Sequence, residues 1–234
     1  MKQALYTVFS FCYFILLAVE LTVIGFALIT LCGATDNHKL RYHRILCRRA
    51  RFVVNHIPGT TFTFNNPHGE TFSSPAIIIA NHQSHLDLMA IIALTPKLII
   101  LTKDWVWRNP FYGIIIRYAD YLPVSETEEM TRHIRTMTEK GYSVMVFPEG
   151  TRSVDCRIQR FHKGAFYLAE QLHTDILPVL INGFGKALPK LSHHLHPADM
   201  TLEIMPRIPY QETTRKGYRE MTKQVHRMYK ELCK

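Results

Sequence analysis

Over residues 4–32 the chain reads ALYTVFSFCYFILLAVELTVIGFALITLC, with Glu20 its one charged side chain. As a helix this stretch would run about 40 Å, enough to cross the hydrocarbon core of a bilayer. It is longer than the apolar region of a secretion signal, and Lys2 is a weak basic start, so it reads as a membrane attachment. A carboxylate in mid-bilayer is expensive, and Glu20 therefore leaves a bent or half-inserted helix open beside a full span.

The next segment is HKLRYHRILCRRARFVVNHI, residues 38–57. Lys39, Arg41, Arg44, Arg48, Arg49 and Arg51 supply its charge, and no acid occurs between Asp36 and Glu70. Leu40, Ile45, Leu46, Phe52, Val53 and Val54 form an interrupted apolar face. A basic amphipathic helix beside an apolar anchor suits anionic headgroups and predicts that the domain that follows lies on the cytoplasmic face. The formal charge of +9 calls for an anionic partner, and its clustering beside the anchor favours a membrane surface over nucleic acid. Residues 1–57 are thus expected as a hydrophobic membrane anchor plus a basic amphipathic helix, and residues 58–234 as the globular domain that follows. Cys12, Cys32, Cys47, Cys156 and Cys233 show no paired spacing and read as reduced thiols.

From residue 58 strand-like runs alternate with helical stretches. The strands are expected at 76–80, 97–102, 120–125, 143–148, 176–183 and 201–206. Helices are expected at 84–94, 104–117, 126–140, 162–173 and 211–232. Alternation of this kind predicts an α/β fold, a mostly buried mixed sheet flanked by helices. Chemistry in such folds gathers in loops at the carboxyl ends of strands.

Two motifs fall there. NHQSHLD (residues 81–87) follows the strand AIIIA. Five residues on one helix would turn His82 and Asp87 about 140° apart, so they meet only if His82 precedes the helix. Ser84 as N-cap, with Asp87 three residues on, makes that arrangement available. A carboxylate on one imidazole nitrogen leaves the other free to act as a base. Asp87 as a plain cap and His82 as an ordinary loop histidine remain the simpler alternative. His82 and His85 also form an HxxH pair, but no HExxH or cysteine cluster supports a metal site.

FPEGTRS (residues 147–153) follows the strand SVMV. Glu149 would bind acceptor hydroxyls or order the loop, and Gly150 permits an unusual backbone. Thr151 and Arg152 suit an anionic group, since a guanidinium matches phosphate oxygens as a planar fork.

Together these motifs resemble the glycerolipid acyltransferase family, which includes the 1-acyl-sn-glycerol-3-phosphate acyltransferases. Lys103, Trp105, Trp107, Pro110, Gly113 and Arg117 are similar to its acceptor-binding block, GAFYLA (164–169) to its small-residue helix, and Pro178 to its last block. The likeness runs from about residue 75 to 185. It implies that His82 is the catalytic base and Asp87 its orienting carboxylate. Lys103, Arg117, Glu149, Gly150, Thr151 and Arg152 would bind the acceptor. It further implies acyl transfer to the hydroxyl of lysophosphatidic acid from acyl-CoA or acyl-carrier-protein thioester, with no metal and no other cofactor. The block at 101–126 is more aromatic than the acceptor block of typical lysophosphatidate enzymes. A lyso-aminolipid is therefore the alternative acceptor, and a metal-dependent hydrolase or a non-catalytic lipid-binding module the alternative class.

Overall fold

A computed structural model describes residues 2–110, 112–124 and 127–233. Helix α1 (Lys2–Gly25) runs into a π-helical turn (Phe26–Leu31), and α2 (Asp36–Asn55) follows. Then come β1 (Thr60–Asn65), β2 (Ile77–Ala80), α3 (Asp87–Ile92), β3 (Leu98–Thr102), α4 (Asp104–Trp107), α5 (Gly113–Tyr118) and β4 (Leu122–Pro123). The chain continues through α6 (Glu128–Glu139), β5 (Ser143–Val146), α7 (Gly164–Leu172), β6 (Ile176–Asn182), α8 (Phe184–Ala187) and β7 (Ala198–Ile204). It ends with α9 (Tyr210–Lys216) and α10 (Tyr218–Leu232).

Among the described residues the strands form one seven-stranded sheet in the order β1-β7-β6-β2-β5-β3-β4. β6, β2, β5, β3 and β4 are parallel, β7 runs antiparallel to β6, and β1 is parallel to β7. The mixed α/β sheet flanked by helices is the class expected from the alternation of the sequence. Every residue of β2 is buried, which is why it reads as a continuous apolar run. Ile78 and Ala80 face a core shared with Tyr42, Leu46 and Ala90. Ile77 and Ile79 face one shared with Ile134, Phe166, Val225 and Tyr229, as the two-residue period of a strand requires.

Several boundaries differ from expectation. The long helix expected over 104–117 is two short ones, α4 and α5, because the residue before a proline is pushed out of helical geometry and Asn109 precedes Pro110. Residue 111 lies outside the described residues, as do residue 125 of the expected strand at 120–125 and residue 126 of the expected helix at 126–140. The terminal stretch divides into α9 and α10 at Gly217, whose φ is +77°. β1, TTFTFN, was not anticipated: its pairing to β7 leaves most of its side chains in solvent, so its apolar signal is weak.

Pro178 sits in an interior strand, where its missing N–H leaves the ladder short of a donor. The Tyr229 hydroxyl fills this gap. It accepts from the Val179 N–H and shares its proton between the Ile79 and Val179 carbonyls, each contact at 3.0 Å. Helix α10 is thereby pinned into the strand pair that carries His82.

The apolar face of α2 is turned to the protein. Tyr42, His43, Leu46, Cys47, Ala50, Val53 and Val54 are buried at helical spacing, and Tyr42, Leu46, Ala50, Val53 and Val54 share a core with Leu17 and Leu21 of α1. Arg51 donates to the Ala93 carbonyl at 2.9 Å, Lys39 pairs with Asp120, and Arg49 pairs with Glu20, the one charge of residues 4–32. The helical segment Ala4–Leu31 is long and apolar enough to cross a membrane. It is nevertheless held against the domain along its length. Thr7 accepts from the Leu195 N–H, Tyr13 meets Phe52, and Gly25 lies so close to the Tyr118 ring that a Cβ there would collide with it.

Candidate active site

Because β6, β2, β5 and β3 are parallel, their carboxyl ends share one edge of the sheet. The loops bearing His82, Lys103, the 147–153 motif and Gly183 therefore leave from the same side. Asn81 anchors the first of them. Its amide donates to the Ile181 carbonyl and accepts from the Ile181 N–H, both at 2.8 Å, extending the β2–β6 pairing by a side chain.

His82 lies in the turn before α3, and Asp87 is in its first turn. The imidazole Nδ1 is 2.9 Å from Asp87 Oδ2, with the carboxylate wholly buried and the ring at 16% exposure. The same oxygen accepts the N–H groups of Gln83 (2.6 Å) and Ser84 (2.8 Å). Burial raises the Asp87 carboxyl above its usual range, opposed by these hydrogen bonds and by His82. A carboxylate acceptor at Nδ1 places the ring proton there and leaves Nε2 with its lone pair. The ring is also stacked on Phe147, centroids 4.0 Å apart and planes 17° from parallel.

Ser84 is not the N-cap. The helix begins at Asp87, with Leu86 in the cap position and no side-chain cap. The buried Ser84 hydroxyl donates to the Leu188 carbonyl at 2.8 Å and accepts the Leu86 N–H at 3.3 Å. Asp87 instead folds the preceding turn back onto itself, by gripping two backbone donors that lie ahead of the helix.

The second motif is stitched to the first. Glu149 is 4% exposed; its Oε1 accepts the His82 N–H at 3.0 Å and its Oε2 the Gln159 N–H at 3.2 Å. Burial pushes this carboxyl up to about 7, partly offset by the two backbone donors. Of the two roles open to Glu149, the geometry favours ordering the loop, since both oxygens are engaged inside the protein. The Ser153 N–H donates to the His82 carbonyl at 2.8 Å, and the Gly150 N–H closes a turn onto the Phe147 carbonyl at 3.0 Å. Gly150 has φ +65°, a conformation disfavoured with a side chain, and a Cβ there would meet the His162 ring at 3.4 Å.

Thr151 and Arg152 are half-buried beyond this turn. Lys190, from the loop after α8, donates to Thr151 Oγ1 (3.3 Å) and to the Arg152 carbonyl (2.7 Å). Desolvation first, then the charges of Arg152, His82 and His193, hold His85 down to about 4. Sequence reasoning missed Lys190 and His193; the one available signal was that their loop follows α8 and β6, on the carboxyl edge. Lys103 is exposed at the end of β3. Arg117 donates to the Trp107 carbonyl at 3.0 Å and lies over its ring, 5.3 Å from the centroid, so its guanidinium is engaged in holding α4 to α5. Trp107 in turn donates to the Tyr121 carbonyl at 3.2 Å, whereas Trp105 is exposed. No group of three or more metal-ligating side chains occurs among the described residues.

The family model described as Acyltransferase matches residues 61–182, half of the chain. A 1-acyl-sn-glycerol-3-phosphate acyltransferase of Limnanthes alba is 31% identical over 162 residues, 66% of this chain and 57% of that protein. The human 1-acyl-sn-glycerol-3-phosphate acyltransferase beta is 26% identical over 159 residues, 64% of this chain and 57% of its own length. The match thus spans little more than half the length of these relatives. The fold is that of the crystal structure of the 1-acyl-sn-glycerophosphate (LPA) acyltransferase PlsC from Thermotoga maritima. The TM-score is 0.75 at 21% identity, covering 98% of this chain and 96% of that one. On the family match and on the His82–Asp87 pair joined to the 147–153 loop, this chain belongs to the acyltransferase family.

Proposed function

We propose that the protein transfers a fatty acyl group from a thioester to the free hydroxyl of lysophosphatidic acid, giving phosphatidic acid. The observation that carries this reading is the His82 ring, fixed by Asp87, Phe147 and Glu149 with Nε2 left as a base, in a chain whose matched relatives are named for this reaction. Nε2 takes the hydroxyl proton as the oxygen attacks the thioester carbonyl, and Asp87 stabilises the imidazolium. The tetrahedral intermediate collapses, the C–S bond breaks, and the thiolate leaves with the proton returned by His82. An ester bond has formed, and the histidine is neutral again. The thioester, on coenzyme A or an acyl carrier protein, is itself the activated species, so the step as written calls on no further cofactor.

The acceptor is a membrane lipid, and the surface supports delivery from a bilayer. Leu5, Val8, Phe9, Phe11, Leu16 and Val19 are exposed along α1. The opposite side of that helix is packed on the domain, which favours insertion into one leaflet over a full span. Arg41, Arg44 and Arg48 are exposed at helical spacing on α2 and suit anionic headgroups on the cytoplasmic leaflet. Incubating the purified protein with labelled acyl-CoA and a panel of lyso-lipids tests the reading. Phosphatidic acid as the main product is expected; preferential acylation of a lyso-aminolipid, or thioester hydrolysis alone, would overturn it.

A further inference from the structure

Arg152, Lys190, His85 and His193 gather around one turn, and among the described residues no ion pair neutralises Arg152 or Lys190. Asp87 is a carboxylate whose charge reaches Arg152, but it is committed to His82, Gln83 and Ser84. A half-buried guanidinium without a counter-ion is costly unless an anion completes it. Lys190 stands at the same turn for a visible reason: its ammonium donates to Thr151 Oγ1 and to the Arg152 carbonyl. An ammonium has three N–H donors, so one remains.

We propose that Lys190 is a specificity-determining residue that, with Arg152, forms a subsite for the phosphate monoester of the acceptor. Lys190 lies beyond the segment matched by the family model, so the assignment comes from its contacts in this chain. The two hydrogen bonds to the loop orient its charge, and the third donor and the Arg152 fork share the phosphate oxygens. The assignment rests on the reading of the acceptor as lysophosphatidic acid.

The test is steady-state kinetics of the full chain, wild type against Lys190→Met and Lys190→Arg. The acceptors are lysophosphatidic acid and a monoacylglycerol of the same chain length, and the thioester is varied separately. Lys190→Met should raise KM for lysophosphatidic acid at least about tenfold, the scale of one charge-assisted hydrogen bond. Its loss on monoacylglycerol should be much smaller, KM for the thioester should hold, and Lys190→Arg should recover most of the binding. Equal losses on both acceptors would overturn the proposal and leave Lys190 a prop for the loop. A raised thioester KM in place of a raised acceptor KM would overturn it by assigning the subsite to phosphates of the donor. A wild type that ignores lysophosphatidic acid would overturn the acceptor reading itself, before any variant is compared.

Discussion

Glu149 Oε1 accepts the backbone N–H of His82 at 3.0 Å, so the acid of one loop holds the main chain of the proposed base in another. The carboxylate is buried and bridges on to Gln159. Both of its oxygens are thus engaged in holding the turn that sets the His82 ring over Phe147.

The Glu149 carboxyl has a definite pH signature. Burial lifts it from the ordinary glutamate value to about 7. A raised folded-state value means that the folded protein binds the proton more tightly than the unfolded chain. Its stabilising contribution is full below the unfolded value and is lost as pH rises through the folded one. Thermal unfolding between pH 4.5 and 7.5 should show wild-type stability falling relative to Glu149→Gln as pH rises. A flat difference between the two curves would remove the titration from Glu149.

Asp87→Asn separates orientation from charge. An amide oxygen can still accept from Gln83 and Ser84, so the turn should survive with a loss of about 1–3 kcal/mol. It cannot stabilise an imidazolium as a carboxylate does, and kcat should drop about a hundredfold or more with acceptor KM little changed. Retained kcat alongside reduced stability would make Asp87 a structural brace only.

Tyr229→Phe removes the hydroxyl that completes the β2–β6 pairing beside Pro178. Three hydrogen-bond contacts disappear from a buried site, and denaturant unfolding should report a loss of about 1–3 kcal/mol. An unchanged midpoint would mean that the ladder closes without it.

Much of the dyad was legible because it is local. His82 and Asp87 are separated by a short turn, and helix periodicity alone shows that they meet only across a helix start. Lys190 was not legible: its contact with Arg152 depends on how the segment after α8 folds back over the edge of the sheet. The α2 helix teaches a different lesson. Its apolar face was readable from Leu46, Val53 and Val54, but a periodic face says only that something covers it. Here the cover is the core containing Ile78 and Ala90, and lipid is left to the far side of α1.

That far side makes a membrane prediction that spares the core. Leu16 and Val19 are exposed on α1, while the intervening Leu17 is buried. Leu16→Glu with Val19→Glu should leave the fold intact and weaken sedimentation with anionic vesicles at least about tenfold, given roughly 2.5–3.5 kcal/mol for a charge deep in lipid. Undiminished vesicle binding would place the docking surface elsewhere.

The most direct measurement is the single-turnover rate of acyl transfer to lysophosphatidic acid by His82→Ala, in protein whose folding has been verified by circular dichroism. Ring removal leaves the turn's backbone donor to Glu149 in place, so the fold should persist. We expect the rate to fall at least about a hundredfold, the contribution of a positioned base, with acceptor binding largely retained. A folded His82→Ala protein that transfers acyl groups at close to the wild-type rate would contradict the assignment of His82 as the base.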